Sequence, residues 1–167
     1  MSKKIQRNYL EINFLEDLKE NSNFSKNYSI NLVDPADFQL NKFFYKNIGK
    51  KHHWIDRLIW TEKQWIDYVS DKNVKTYVLK NEKDLVGYFE LILHSKKNEV
   101  EIAYLGLLEE YQNKKIGSYL LSSAIKNSFL NKPKRVWVHT CSLDHKNALN
   151  NYIARGMKIF KSETVFL

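Results

Sequence analysis

Cysteine occurs once in this chain, at Cys141. An internal disulfide is excluded, and a reducing cytosol is the expected compartment. Two prolines and five glycines in 167 residues are too few for a loop-dominated or collagen-like chain. No apolar run approaches the ~20 residues needed to span a bilayer. The opening MSKKIQRNYLEINF lacks the apolar core of a secretory signal, so no membrane association is expected. His52 and His53 are adjacent, and neither HxxxH nor paired CxxC spacing occurs, so no metal is expected.

Aromatic residues, by contrast, reach 14%, with four Trp and ten Tyr, and apolar residues reach 43%. That composition suits one globular domain over residues 1–167 with a sizeable core. The net charge is +8, which fits a polyanionic partner or serves solubility alone. Lysine pairs recur along the chain without forming a run of five or six, so nucleic acid is not an expected partner.

Hydrophobic periodicity divides the chain into elements. RNYLEINFLEDL reads as a first strand followed by a turn or short helix, 19–27 as a polar loop, and YSINLVD as a short strand ending at Pro35. ADFQLNKFFYKNIG spaces Phe38, Phe43 and Phe44 for a helix that stops at Gly49. KKHHWIDRLIW has no clear type. TEKQWIDYVS carries Thr61 and Gln64 in capping-box spacing, with Trp65, Ile66 and Val69 as a buried stripe.

VKTYVLKN, DLVGYFELILH and EVEIAYLGLL are β-rich runs joined by short links, hence an antiparallel meander. Residues 116–129 form an amphipathic helix with Ile116, Leu120, Leu121, Ala124 and Ile125 inward. RVWVHTC is a strand, 145–155 a helix closed by Gly156, and MKIFKSETVFL a last strand. The order is βααβββαβαβ with an additional N-terminal strand: a mixed α/β (α+β) domain with helices on one central sheet.

YQNKKIGSYLL, between a strand and a helix, is the first candidate site. Free N–H groups at a helix start favour an anion, and Gly117 permits close approach to the backbone. Taken alone, the stretch reads more readily as an exposed basic turn with a well-placed glycine.

The surrounding motifs resemble the GNAT superfamily of acyl-CoA-dependent N-acyltransferases. That family's loop reads Gln/Arg-x-x-Gly-x-Gly/Ala; here Gln112 opens it and Gly117 closes it, while Lys115 stands at the first glycine. HKNALNNYIARGM resembles the family's Asn-x-x-Ala-x-x-x-Tyr-x-x-x-Gly-Phe through Ala148, Tyr152 and Gly156, with Met157 for Phe and His145 at the Asn position. The two motifs span residues 99 to 160, and the upstream elements extend the likeness over nearly the whole chain.

The resemblance implies acetyl-CoA as cofactor and CoA as product. Backbone groups of Leu105 and Leu107 would meet the pantetheine arm. The pyrophosphate would lie on the amides of Asn113, Lys114, Lys115, Ile116, Gly117 and Ser118, beside Gln112. His145 or Asn147 would touch the cofactor, and Tyr152 would protonate the leaving thiolate. Tyr152 is otherwise a core residue of an amphipathic helix.

Glu101, inside a β-run where partial burial disfavours the charged form, is the candidate base. A glutamate on this strand is the base in histone-type members, and Glu101 lies at the matching distance from Gln112. It reads otherwise as an edge carboxylate. A hairpin closed by SKKN sets His94 opposite Glu99, Ile92 opposite Glu101 and Glu90 opposite Ala103, so Glu90 and Glu101 share a face as diagonal neighbours. The two carboxylates are then placed to hold a cationic amine, or are simply solvated.

Trp54, Asp56, Arg57 and Trp60 lie where the family walls its acceptor site, the indoles for shape, Asp56 for a cation and Arg57 for a carboxylate; the alternative is two core indoles with Asp56 and Arg57 on a wet face. HTCSLDH raises a Cys–His nucleophile at Cys141 and His139, against a small buried thiol. The expected activity is N-acetyl transfer from acetyl-CoA to a primary amine of a small molecule or protein, by direct attack in a ternary complex. A GNAT-like acyl-CoA sensor without turnover is the rival. Whether two copies pair as a homodimer stays open.

Overall fold

In the computed structural model, which describes residues 2–21 and 24–167, the expected meander is the centre of a seven-stranded sheet. The strands are β1 (Lys4–Ile12), β2 (Tyr28–Leu32), β3 (Val74–Asn81), β4 (Asp84–His94), β5 (Glu99–Leu107), β6 (Arg135–Cys141) and β7 (Lys158–Phe166). The helices are α1 (Phe38–Gly49), α2 (Glu62–Val69), α3 (Ile116–Ser128) and α4 (Ala148–Ala154). Their order along the chain is the expected one. Residues 22 and 23 of the polar loop 19–27 lie outside the described residues.

The spatial order is β2-β3-β4-β5-β6-β1-β7. Every neighbouring pair is antiparallel except β5 and β6. The first strand therefore does not start the meander. It inserts between β6 and β7, with Leu10 opposite Val138 on one side and opposite Ile159 on the other.

Each face has its own core. Leu120, Leu121, Ala124 and Ile125 of α3 pack on Phe89, Leu91, Val100 and Ile102 of the sheet, and Ile116 is buried with them, as the helical period requires. On the other face, Phe44 and Ile48 of α1 pack with Val78 and Tyr88. The Thr61–Gln64 capping box opens α2, which buries Trp65 and Val69. Ile66 does not join that stripe: it is 39% exposed, one position round the helix from the buried row. α4 begins at Ala148, three residues later than expected, because His145 to Asn147 are spent on the turn into it.

Gly49 closes α1 for a reason of space. A Cβ there would stand 2.4 Å from the Trp54 Cβ, because the chain turns back and the Trp54 amide donates to the Gly49 carbonyl. That turn brings segment 50–57 against the end of β5.

Candidate functional site

β5 and β6 are parallel for three rungs only: Glu99 with Arg135, Val100 with Val136, Glu101 with Trp137. Beyond Glu101, β5 continues to Leu107 and β6 to Cys141 without further pairing. The strands part, and the edge of β5 from Ala103 onward loses its neighbour on that side. Such an edge presents backbone donors and acceptors to whatever enters the gap.

A cavity of about 830 Å³ fills the wedge. β5 lines it from Glu101 to Leu107, β6 with Val138, His139 and Cys141, and α4 with Asn151, Tyr152 and Arg155. The loop before α3 adds Gln112, Asn113 and Lys115, and the first turn of α3 adds Gly117 and Ser118.

That loop is shaped by two left-handed residues, Asn113 (φ 61°) and Lys115 (φ 64°). Lys115 takes the backbone conformation that a glycine adopts freely, at a cost of roughly 1–2 kcal/mol. It is also the N-cap of α3 and provides no side-chain cap. The amides at the start of α3 are therefore without intrahelical partners, beside the cavity that Gly117 and Ser118 line, in a left-handed turn of the kind that cradles anions. A Cβ at Gly117 would meet only Asn151 Nδ2 at 3.6 Å and Leu107 Cδ1 at 4.0 Å. The space over this turn is open.

Ties hold the loop. Gln112 Nε2 donates to the Leu107 carbonyl at 3.1 Å, and Asn151 Nδ2 donates to the Gly117 carbonyl at 3.1 Å. Asn21 Nδ2 donates to Ser118 Oγ at 2.6 Å. Two residues of the expected loop site do not reach the cavity by side chain. Ile116 is 1% exposed and belongs to the core, and Lys114 lies over the Tyr111 ring.

Both His145 and Asn147 line the cavity. The Asn147 amide donates to His145 Nδ1 at 3.2 Å, which orients the ring. Burial, then neighbouring His52, pushes the His145 imidazole below its ordinary pKa. Tyr152 is 8% exposed on the cavity wall, and burial pushes its phenol well up. The phenol is therefore protonated at neutral pH.

Glu101 lines the cavity from β5 with its side chain 16% exposed, and its Oε1 is 3.0 Å from His94 Nε2. Ile92 faces it and His94 faces Glu99, as the hairpin predicts. The third expected pair is different. Glu90 faces Tyr104, because the register shifts between Glu90 and Leu91 and Ala103 is the extra residue on β5.

The acceptor-side expectations divide. Glu90 is fully buried and does not line the cavity. It accepts from Arg57 Nη1 at 2.9 Å and 3.2 Å, from Asn41 Nδ2 at 2.8 Å and from the Tyr68 hydroxyl at 3.0 Å. It is therefore the anion of a buried pair and is not free to hold an amine. Arg57 is 7% exposed, and Tyr68 and Tyr104 lie within 4.2 Å and 4.3 Å of its guanidinium. Arg57 also lines the cavity, and its charge is already answered by Glu90. Trp60 packs on Arg57 and Trp65 away from the cavity. Trp54 and Asp56 do line it, Trp54 resting on Tyr104 at 4.8 Å.

Cys141 reaches the wall, but burial raises its thiol pKa, the reverse of an activated nucleophile. His139 opens to the cavity, and enclosure by the walls, then Arg7, lowers its pKa.

Several wall residues carry no local sequence signal: Ile5 and Arg7 from β1, Asn21, and Arg155. The Arg155 Nε is buried without a partner among the described residues. Only the NNY of the second motif hinted at Asn151.

Residues 38–157 match the Acetyltransferase (GNAT) family. No curated protein matches the chain. Solved structures share the fold: a GCN5-related N-acetyltransferase from Sphaerobacter thermophilus (TM-score 0.70, 13% identity, 99% of this chain and 51% of that one) and one from Kribbella flavida (0.67, 13%, 96% and 56%). An aminoglycoside acetyltransferase from an uncultured soil metagenomic sample is similar too (0.65, 15%, 78% and 88%). The chain spans little more than half the length of the first two. No helix among the described residues is long and apolar enough to cross a membrane. The family match takes in both motifs and most of the cavity between them, and the chain belongs to the GNAT acetyltransferase family.

Proposed function

We propose that the protein transfers an acetyl group from acetyl-CoA to a primary amine. The observation that carries this reading is the wedge between β5 and β6, with Glu101 and Tyr152 on its walls and the open start of α3 at its edge. The amides from Asn113 to Ser118 suit a pyrophosphate. The unpaired edge of β5 at Leu105 and Leu107 suits the pantetheine amides, as an added strand would pair there. Arg155 and Lys115 supply positive charge at the same end.

In this reading the amine enters past Trp54 and Asp56, whose carboxylate attracts a cation. Glu101 takes one proton from the ammonium, the free amine attacks the thioester carbonyl, Tyr152 gives a proton to the departing sulfur, and the proton then lost by the adduct nitrogen restores the Tyr152 phenol. Cofactor and acceptor occupy one cavity together, which favours direct attack over a covalent intermediate on Cys141. A pure acyl-CoA sensor has no need of an acid and a base in one cavity. The acceptor is a small-molecule or protein amine.

The test is thiol release from acetyl-CoA, measured with spermidine, tyramine and a lysine-containing peptide. Amine-dependent release is the expected result. Tight CoA binding with no release on any of them would overturn the catalytic reading in favour of the sensor.

A further inference from the structure

The Glu101 carboxylate faces two ways. It lines the cavity, and its Oε1 lies 3.0 Å from Nε2 of His94, which does not line it. The His94 side chain is 37% exposed, against 16% for Glu101. Its ring is held by stacking on Trp137, with centroids 6.0 Å apart and planes 20° apart. The pair therefore runs from the cavity wall to solvent across the β4–β5 hairpin.

Other charged groups nearby are occupied or lie further round the site. Glu99, opposite His94 on β5, is bound by Arg135 of β6. His139 of β6 faces the cavity, and Arg7 of β1 pairs with Glu163. His94 is the hydrogen-bonded titratable partner of Glu101.

We propose that His94 carries the reaction's surplus proton from Glu101 to water. The inference rests on the acetyltransferase reading. A primary amine arrives as ammonium, and its conversion to an amide with release of a thiol leaves one proton over. Glu101 takes that proton: an N–H bond breaks and an O–H bond forms. His94, with its own ring proton on Nδ1, takes the proton from Oε1 at Nε2. The imidazolium loses one proton to water, and Glu101 is again a carboxylate. Without this outlet, the proton must leave through the cavity while cofactor and acceptor fill it. His94 acts through Glu101 and is a positioning and relay residue; it does not touch substrate.

The experiment compares His94→Gln with the wild type, using acetyl-CoA and whichever of spermidine, tyramine or the lysine peptide the wild type acetylates. Glutamine keeps a hydrogen bond to Glu101 but carries no proton. Since proton transfer by a positioned group contributes about 10²–10⁴-fold, kcat is expected to fall by about tenfold or more, with KM for acetyl-CoA unchanged. Free imidazole restores kcat in His94→Ala, where the vacated, half-open position admits it. Wild-type kcat in His94→Gln would overturn the relay and leave the acetyltransferase reading standing. A loss that imidazole does not restore in His94→Ala would show a structural role and overturn it as well. No amine-dependent release by the wild type would remove the acetyltransferase reading, and the relay with it.

Discussion

Glu101 and Trp137 form the last rung between β5 and β6. The proposed base and the point where the sheet opens are the same place. Upstream of this rung the two strands are pinned, because Arg135 of β6 bonds Glu99 of β5 and Glu11 of β1. Downstream they separate around the cavity. A carboxylate at the vertex meets whatever is bound at the inner end of the wedge.

Glu101→Gln tests that position directly. It preserves size and removes the proton acceptor, so kcat with a responsive amine should fall by about a hundredfold or more. Affinity for acetyl-CoA, measured by calorimetry, should not change. An unaltered rate would remove Glu101 from the base role.

Gly117→Trp places an indole over the start of α3. The glycine's Cβ direction is open apart from Asn151 and Leu107, so the fold should survive. CoA binding should weaken by about tenfold or more, from the loss of about 1.4 kcal/mol or more. Undiminished affinity would sink the loop assignment.

Lys115→Gly addresses backbone strain. Lys115 sits at φ 64°, and relief of the left-handed cost is worth about 1 kcal/mol after part is offset by glycine's greater freedom in the unfolded chain. The melting temperature should rise by about 2–4 °C. A fall would mean that the Lys115 side chain contributes more than its backbone costs.

Glu90→Leu leaves the Arg57 guanidinium buried without its anion. Breaking such a pair from one side costs about 3–5 kcal/mol, read from urea unfolding. Arg57→Leu combined with Glu90→Leu should recover a large part of that loss. If Glu90→Leu is neutral, the pair is not structural.

Glu99 supplies a pH signature. Its hydrogen bond from Arg135 holds its carboxyl below the ordinary value of 4.5. A carboxylate with a depressed folded pKa stabilises the fold above its unfolded value, and that contribution is lost as pH falls toward the folded one. Arg135→Met should therefore lower stability at neutral pH and flatten its decline below about pH 4.5, seen in melting temperature against pH. An unchanged slope would show that Glu99 adds no acid sensitivity.

Much of the fold was legible in the sequence. The meander follows from three β-rich runs with links too short for a crossover, and the inward face of α3 from helical spacing. Both motifs marked the two sides of the cavity. The hairpin count failed at one position because the bulge at Ala103 leaves no local mark in the sequence. Arg57 and Glu90 are 33 residues apart, so their mutual burial as an ion pair could not be read from either neighbourhood.

By itself the sequence determined element order, the α3 core face, the capping box of α2 and the position of the loop before α3. These depend on periodicity and on contacts a few residues apart, which side-chain spacing encodes directly. The tertiary structure decided where β1 goes, how far β5 and β6 stay together, and which charges are already paired. It also decided that Lys115 takes the left-handed turn where a glycine was expected. Those outcomes depend on strand pairing and burial between distant segments, whose energies are settled only when the whole sheet has closed around its two cores.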